Sequence, residues 1–331
     1  MGDVAMTVPV LRAFSRQYRQ VKLTVISRPF FEPFFEGIPN LDFFAFDDKK
    51  RHKGFLGLMR LFADLRKLDI DAFADLHNVL RSQVIRRLFT LSGKKTAFTD
   101  KGRAEKKALT APHHKAFQPL RTMVERHADT FKKLGFKISL KQPEFSKKQP
   151  LAPEIHNFTG EKTAYWIGIA PFAQYDSKAY PLDLMAQTIA LLAQTENSKI
   201  FLFGGGGKEA SVLDGLSKNH PNVVNMAGKV GFREELALIS NLDVMLSMDS
   251  GNGHLAAMLG VPVVTLWGAT HPFAGFAPFN QPLSNALVSD REKYPMLPTS
   301  VYGNKTVEGY EDAMRTIAPE TVAAKIKQLL N

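Results

Sequence analysis

The strongest constraint on this chain is a rhythm: short runs rich in β-branched and other apolar residues alternate with amphipathic stretches along most of its length. Successive strands separated by helical stretches can pair only in parallel, with the helices packed on the sheet faces, so the rhythm predicts an α/β fold. In the first half, strands are expected at Lys22–Ser27, Ala72–Leu76 and Lys94–Phe98, and helices at Phe55–Lys67, Val79–Leu91 and Lys115–Leu134. In the last of these, Leu120, Met123, Val124, His127 and Phe131 form one stripe, and His127 on that stripe reads as a packed histidine rather than a ligand. The second half repeats the pattern more clearly. Strands are expected at Trp166–Ala170, Lys199–Phe203, Val223–Met226, Asp243–Ser247 and Val261–Leu266, with helices at Leu182–Gln194, Lys208–Ser217, Arg233–Ser240, Gly253–Leu259 and Pro319–Leu330.

At 331 residues with 44% hydrophobic content, the chain is long enough for two domains. The segment Lys141–Gly160, with Pro143, Pro150 and Pro153, reads as the linker, giving domains 1–150 and 151–331. Charge divides at the same place. The net charge is +11, but residues 1–150 hold 30 Lys+Arg against 15 Asp+Glu, and residues 151–331 hold 13 against 17. A basic half beside an acidic half points to one domain that meets an anionic partner, or to a solvated lysine-rich face. The basic, aromatic pattern of an RNA-binding surface is missing, so no nucleic acid partner is expected. There are no cysteines, which excludes disulfides and cysteine-ligated metal sites and fits a reducing cytoplasm. No apolar run approaches the ~20 residues of a membrane span, and no signal-peptide pattern is seen, so a soluble protein is expected.

Ligands of doubly wound sheets bind beyond the carboxyl ends of the strands, so the loops Pro171–Lys178, Gly204–Lys208 and Met248–His254 are expected to converge. In the third loop, Asp249-Ser250-Gly251-Asn252-Gly253-His254 runs from a buried strand into a helix, and two glycines there would let a ligand approach the backbone. Free amides at a helix N-terminus attract phosphate, and His254 adds a donor one turn in. The plainer reading is a strand-to-helix turn with Asp249 or Ser250 as N-cap and His254 packed. Gly204-Gly205-Gly206-Gly207 lacks dinucleotide-fingerprint spacing and reads as a flexible turn; Glu209 after it caps a helix or touches a ribose. Asp249 with His254, or His113 beside His114, finds no third and fourth ligand at fitting spacing, so no metal and no cofactor are expected. Phe30, Phe31, Phe34, Phe35, Phe43, Phe44 and Phe46 read as core rather than as an apolar lip toward lipid.

Downstream, Gly260-Val261-Pro262-Val263-Val264-Thr265-Leu266-Trp267-Gly268-Ala269-Thr270-His271-Pro272 makes the chain resemble glycosyltransferase family nine, the lipopolysaccharide heptosyltransferases. The N-terminal Met1-Gly2-Asp3-Val4-Ala5-Met6-Thr7-Val8-Pro9-Val10-Leu11-Arg12 resembles that family's first glycine-aspartate loop and helix, and Asn225-Met226-Ala227-Gly228-Lys229 resembles the segment before its donor-site helix. The resemblance implies the GT-B architecture: two Rossmann-like doubly wound domains facing across a cleft, the acceptor held by the first and the nucleotide-sugar by the second, with the last helix expected to pack back on the first domain. It implies an inverting, metal-independent transferase that moves heptose from ADP-heptose to an anionic lipopolysaccharide-core acceptor, in the cytoplasm and peripherally at the inner face of the inner membrane.

By the same resemblance Asp249, Ser250, Gly251 and His254 lie at the diphosphate and sugar, Lys178 faces the phosphates, and Asp3 is the general base. Local physics alone makes Asp3 a helix cap. Arg81, after the strand that ends near Asp75, is a candidate to hold a phosphate or carboxylate of the acceptor, as is Arg28. Family members begin with a buried strand before the glycine-aspartate loop, so a strand upstream of Met1 is expected. Relatives often carry cysteines around Tyr294–Tyr310, and this chain has none. The same fold with another nucleotide-sugar, and a non-catalytic nucleotide- or RNA-binding module, are the competing readings.

Overall fold

A computed structural model describes residues 1–330. They form two compact units: Met1, 3–103 and 121–144 in the first; Gly2, 104–120 and 145 onward in the second.

The elements of the first unit are α1 (Gly2–Ala5, which the division cuts), α2 (Val8–Gln17), β1 (Leu23–Ser27), β2 (Leu41–Ala45), α3 (Gly54–Arg66), β3 (Ala72–Asp75), α4 (Leu80–Leu91), β4 (Lys95–Phe98), then α5 (Arg103–Leu109), which passes into the second unit, and α6 (Met123–Lys133). β1 pairs with β2 and β3 with β4, both in parallel, as two separate two-stranded sheets. α3 and α4 close one core of this unit, in which Leu58, Leu61, Leu65, Ile85 and Phe89 are buried. β2 escapes the sequence pattern because no position of Leu-Asp-Phe-Phe-Ala is fully buried: Leu41, Phe43 and Phe44 are half-buried, and Asp42 and Ala45 are exposed. The phenylalanines mostly turn inward, with Phe34 3% and Phe35 4% exposed; Phe30 alone of that group is largely exposed.

The helix expected over 115–134 begins at Met123. Pro119 interrupts it, and Thr122 accepts from the Glu125 amide while the Glu125 carboxylate accepts from the Thr122 amide, a reciprocal cap that fixes the start. His127 is buried and hydrogen-bonded to the Thr99 hydroxyl.

The second unit contains α7 (Pro153–Thr159), β5 (Tyr165–Ala170), α8 (Leu182–Ala193), β6 (Ser198–Leu202), α9 (Lys208–Ser217), β7 (Val223–Asn225), α10 (Phe232–Ser240), β8 (Val244–Met248), α11 (Gly251–Met258), β9 (Val263–Trp267), β10 (Ala286–Val288) and α12 (Pro319–Leu330). Six parallel strands lie in the order β10-β9-β8-β5-β6-β7. β5 and β8 are therefore neighbours although three helices and two strands separate them in sequence, and the strand order reverses between them. Part of the expected linker, Pro153–Thr159, is helical. In the last helix Val322, Ala323 and Ile326 lie in the core beneath the six-stranded sheet, and Tyr180 donates to the Ile317 carbonyl at 2.6 Å just ahead of it. Among the described residues no helix is long and apolar enough to cross a membrane.

Residues 104–120 come from the basic half of the sequence yet fold with the second unit. Lys115 donates to the Met296 and Pro298 carbonyls at 2.6 and 2.7 Å, and the Leu120 amide to the Phe273 carbonyl. Phe117 packs edge-on to His271, with the Arg291 guanidinium 3.4 Å from its ring centre. His271 Nδ1 accepts the Phe273 amide, a bond that needs the neutral ring. Desolvation, then the Arg291 and Lys115 charges, push His271 down to about 4.

The unfolded chain takes up this proton below about pH 6.5 while the folded one resists it, so the stabilising contribution is complete above that pH and is lost as pH falls toward 4. Urea denaturation between pH 6.5 and 4.5 should show stability falling with a slope of up to about 1.4 kcal/mol per pH unit from this group. His271→Phe should flatten that slope, and an unchanged slope would remove His271 as its source.

Candidate active site

A strand order that reverses leaves a crevice beyond the strand carboxyl ends, because the loops on either side turn away in opposite directions. Here the flanking loops follow β5 and β8, paired in register from Ile167 with Val244 to Ala170 with Ser247. β5 leads into a single 3-10 turn, Asp176–Lys178, and β8 leads through Asp249 and Ser250 into α11. The two loops meet: Lys178 Nζ lies 2.9 Å from Asp249 Oδ2, with the side chains 12% and 8% exposed. The same carboxylate oxygen accepts the Thr270 hydroxyl at 2.8 Å, from the loop after β9.

Lys178 is held along its whole length. Gly303, at φ +83°, lies against its methylenes so closely that a Cβ there would collide with Lys178 Cδ. Ser177 donates to the Gly303 carbonyl at 2.6 Å, and the Gly303 amide donates to Ser300 at 2.9 Å. The Thr299 and Ser300 amides in turn donate to the Ala269 carbonyl. A loop more than a hundred residues downstream of Lys178, itself tied to Ala269, thus fixes where its ammonium points.

Ser250 occupies the N-cap position of α11, but its side chain caps no amide; it meets the Ser247 hydroxyl at 3.1 Å instead. The first-turn amides are therefore not satisfied by their own cap residue, which leaves the positive end of the helix dipole for an anion. His254 sits one turn in and is buried. Gly253 is not free for a ligand. It lets α11 approach β8, since a Cβ there would lie 3.3 Å from Ser247 Oγ. The Gly205 amide donates to Glu209 at 2.5 Å, so the carboxylate ties down the glycine-rich loop beyond β6.

The remaining predicted residues lie in the first unit. Asp3 is exposed, and it sits inside the first turn of α1 rather than ahead of it, so it is not that helix's N-cap. Its charge reaches His77, whose imidazole is held below its ordinary value by desolvation first and Lys101 second, with Asp3 and Asp75 acting in the opposite sense. Arg28 and Arg81 converge on one carboxylate, Asp48, at 2.8 and 3.5 Å, and Arg81 also covers the Phe46 ring. Among the described residues no group of three or more His, Cys, Asp or Glu side chains is placed to hold a metal ion. Around Tyr294–Tyr310 the segment closes on itself through Tyr294, Leu297, Tyr310 and Ala313.

This geometry can be set beside known proteins. A sequence model of glycosyltransferase family 9 (heptosyltransferase) matches residues 58–305, which span the six-stranded sheet and the Lys178–Asp249 pair. The chain belongs to glycosyltransferase family 9. It is 23% identical over 285 residues to the lipopolysaccharide core heptosyltransferase OpsX of Haemophilus influenzae, covering 85% of this chain and 79% of that protein. A family 9 glycosyltransferase from Veillonella parvula superposes with a TM-score of 0.75 at 19% identity, over 100% of this chain and 94% of the other. The E. coli heptosyltransferase WaaC, solved with ADP, gives 0.68 at 18% identity, over 99% and 97%. The fold is the GT-B fold of these glycosyltransferases.

Lys178→Met should strand the Asp249 carboxylate with the Thr270 hydroxyl alone and cost on the order of 2–3 kcal/mol, discounted from a fully buried pair for its residual exposure. The double variant Lys178→Met/Asp249→Asn should recover part of that loss in urea unfolding. Additive losses would mean that the two side chains are not energetically coupled.

Proposed function

We propose that this glycosyltransferase moves heptose from ADP-heptose to an anionic lipopolysaccharide-core acceptor with inversion at the anomeric carbon, working peripherally at a membrane surface. The observation that carries the donor half of this reading is the Lys178–Asp249 pair, set at the point of strand reversal beside the amides of α11. A nucleoside diphosphate needs positive potential that does not move during reaction, and a clamped ammonium with a helix N-terminus supplies it. The relatives support this reading: OpsX is a lipopolysaccharide core heptosyltransferase, and WaaC was solved with ADP and with ADP-2-deoxy-2-fluoro heptose.

In this reading the diphosphate lies on the first-turn amides of α11, around Ser250 and Gly251, with His254 as a further donor. Lys178 neutralises the charge that develops on the leaving group. Asp249, oriented by Lys178 and Thr270, accepts hydroxyls of the sugar. An acceptor hydroxyl attacks the anomeric carbon from the face opposite the diphosphate; the new C–O bond forms as the bond to the diphosphate breaks, ADP leaves with the electron pair, and the hydroxyl proton passes to Asp3. Arg28 and Arg81, already gathered on Asp48, hold an anionic group of the acceptor. No metal is assigned a step.

Asp3→Asn tests the base. A neutral amide does not take the proton, and loss of a general base lowers turnover by about 10²–10⁴-fold. ADP release from ADP-heptose with a core-oligosaccharide acceptor should fall by that factor, while calorimetric binding of ADP and the melting temperature stay unchanged. More than about a tenth of wild-type turnover would remove Asp3 from this role.

A further inference from the structure

Between β2 and α3 the chain reads Lys49-Lys50-Arg51-His52-Lys53-Gly54-Phe55-Leu56, four cations in five residues followed by two large apolar side chains. Phe55 is 69% exposed and Leu56 70%. Neither is needed for the fold, because the buried stripe of α3 is already complete with Leu58, Leu61 and Leu65. Leu56 continues instead onto the opposite, basic face of that helix, where Arg60 and Lys67 are also exposed.

This tip is built rather than slack. Asp47 accepts the amides of Lys49, Lys50 and Arg51, which curls the basic run back on itself. His52 is buried at the centre of the turn, stacked on Phe46, with Nδ1 accepting the Asp47 amide and Nε2 on Asp64 at 3.3 Å. Arg51 closes the turn with two 2.8 Å bonds to the same Asp64. Gly57 then allows the first turn of α3 to lie directly on the His52 backbone, where a Cβ would collide. A rigid turn that holds a phenylalanine and a leucine out in water, ringed by ammonium groups, matches the boundary of an anionic bilayer: apolar groups enter the acyl edge while cations meet the phosphates.

We propose that Phe55 and Leu56, with Lys49, Lys50, Lys53 and Arg60 around them, form a membrane-docking knuckle that seats the enzyme on an anionic lipid surface. The proposal deepens the reading of the protein as a peripheral transferase for a glycolipid acceptor, and its test does not require catalysis.

Full-length protein is sedimented with sucrose-loaded vesicles of phosphatidylglycerol and phosphatidylethanolamine, and separately of phosphatidylcholine. Binding should favour the anionic vesicles and weaken as salt is raised. Phe55→Ser/Leu56→Ser should weaken vesicle binding at least about tenfold, since two large side chains no longer leave water. The same variant should keep the wild-type melting temperature and its ADP release with a water-soluble, deacylated acceptor. Failure of the wild-type protein to bind anionic vesicles, or equal binding by the variant, overturns the proposal. Because the serine variant could unfold, Phe55→Trp gives an independent readout: its emission should shift to the blue on anionic vesicles and be quenched by acyl-brominated lipid, against the buried Trp166 and Trp267. An indole that stays in water overturns the proposal, including the case in which the tip serves a protein partner. Should transfer from ADP-heptose fail while vesicle binding and its loss persist, the functional reading falls and the knuckle stands.

Discussion

An ammonium and a carboxylate drawn almost out of water, Lys178 and Asp249, fix the relation of the loops on either side of the strand reversal. Each would be costly to shield alone, and together they are favourable only with good geometry and with partners for the remaining polar atoms. That requirement reaches outward. Thr270 supplies a second bond to Asp249, the Ser177–Gly303 bond and the Gly303 backbone confine the lysine stem, and Ser300 and Ala269 hold the loop that carries Gly303. The pair thus brings into one arrangement the segments after β5, β8 and β9 and the loop near residue 300. Loops organised in this way hold their polar groups in place without a ligand, which is the condition under which electrostatic stabilisation contributes most to a reaction.

The two units are held by different means. In the second, β5 after Tyr165, β8 and β9 are buried at every position and apolar at all but Ser247 and Thr265, the mostly apolar pattern of a parallel sheet covered on both faces. In the first, two short strand pairs carry mostly half-buried side chains, and polar ties contribute much of the local definition: Arg51 and His52 on Asp64, the Asn78 amide on Asp75 at 2.6 Å, Thr99 with His127 and Thr130. The residues at 104–120 add a basic stretch from the first half of the sequence to the second unit, held there by Lys115 and by the Phe117–Arg291 stack. Linear charge counts alone therefore misplace part of the positive charge.

That difference explains what could be read without coordinates. Trp166–Ala170, Lys199–Phe203 and Val261–Leu266 were legible because strands buried over most of their length are mostly apolar, while β2 and β10 were not, since half-shielded or three-residue strands leave a weak pattern. The overlong helix at 115–134 followed Leu120 onto a stripe of matching period. Thr122 and Glu125 carried the correcting signal, a reciprocal cap three residues apart, and it is readable in any sequence. Lys178 and Asp249, which the structure pairs, were singled out through the family motifs and the strand-end rule. Thr270, Gly303 and Asp48 were not, because their roles arise from contacts between loops distant in sequence, and no local spacing encodes those.

Two glycines show how such distant contacts shape the site. Gly253 was read as room for a ligand, yet the space it leaves is filled by β8, so it sets the distance between α11 and the sheet and hence where the helix amides lie. Gly303 combines a left-handed backbone with a close approach to Lys178, so any side chain there would be strained and would also displace the ammonium. Neither glycine touches the ionic pair through a polar atom. Both act by excluding volume, one behind the helix and one beside the lysine, and so transmit the packing of the second unit to the position of two charged atoms. The loop around residue 300 is consequently the place where sequence change can move the charge of this site without altering any residue that carries it.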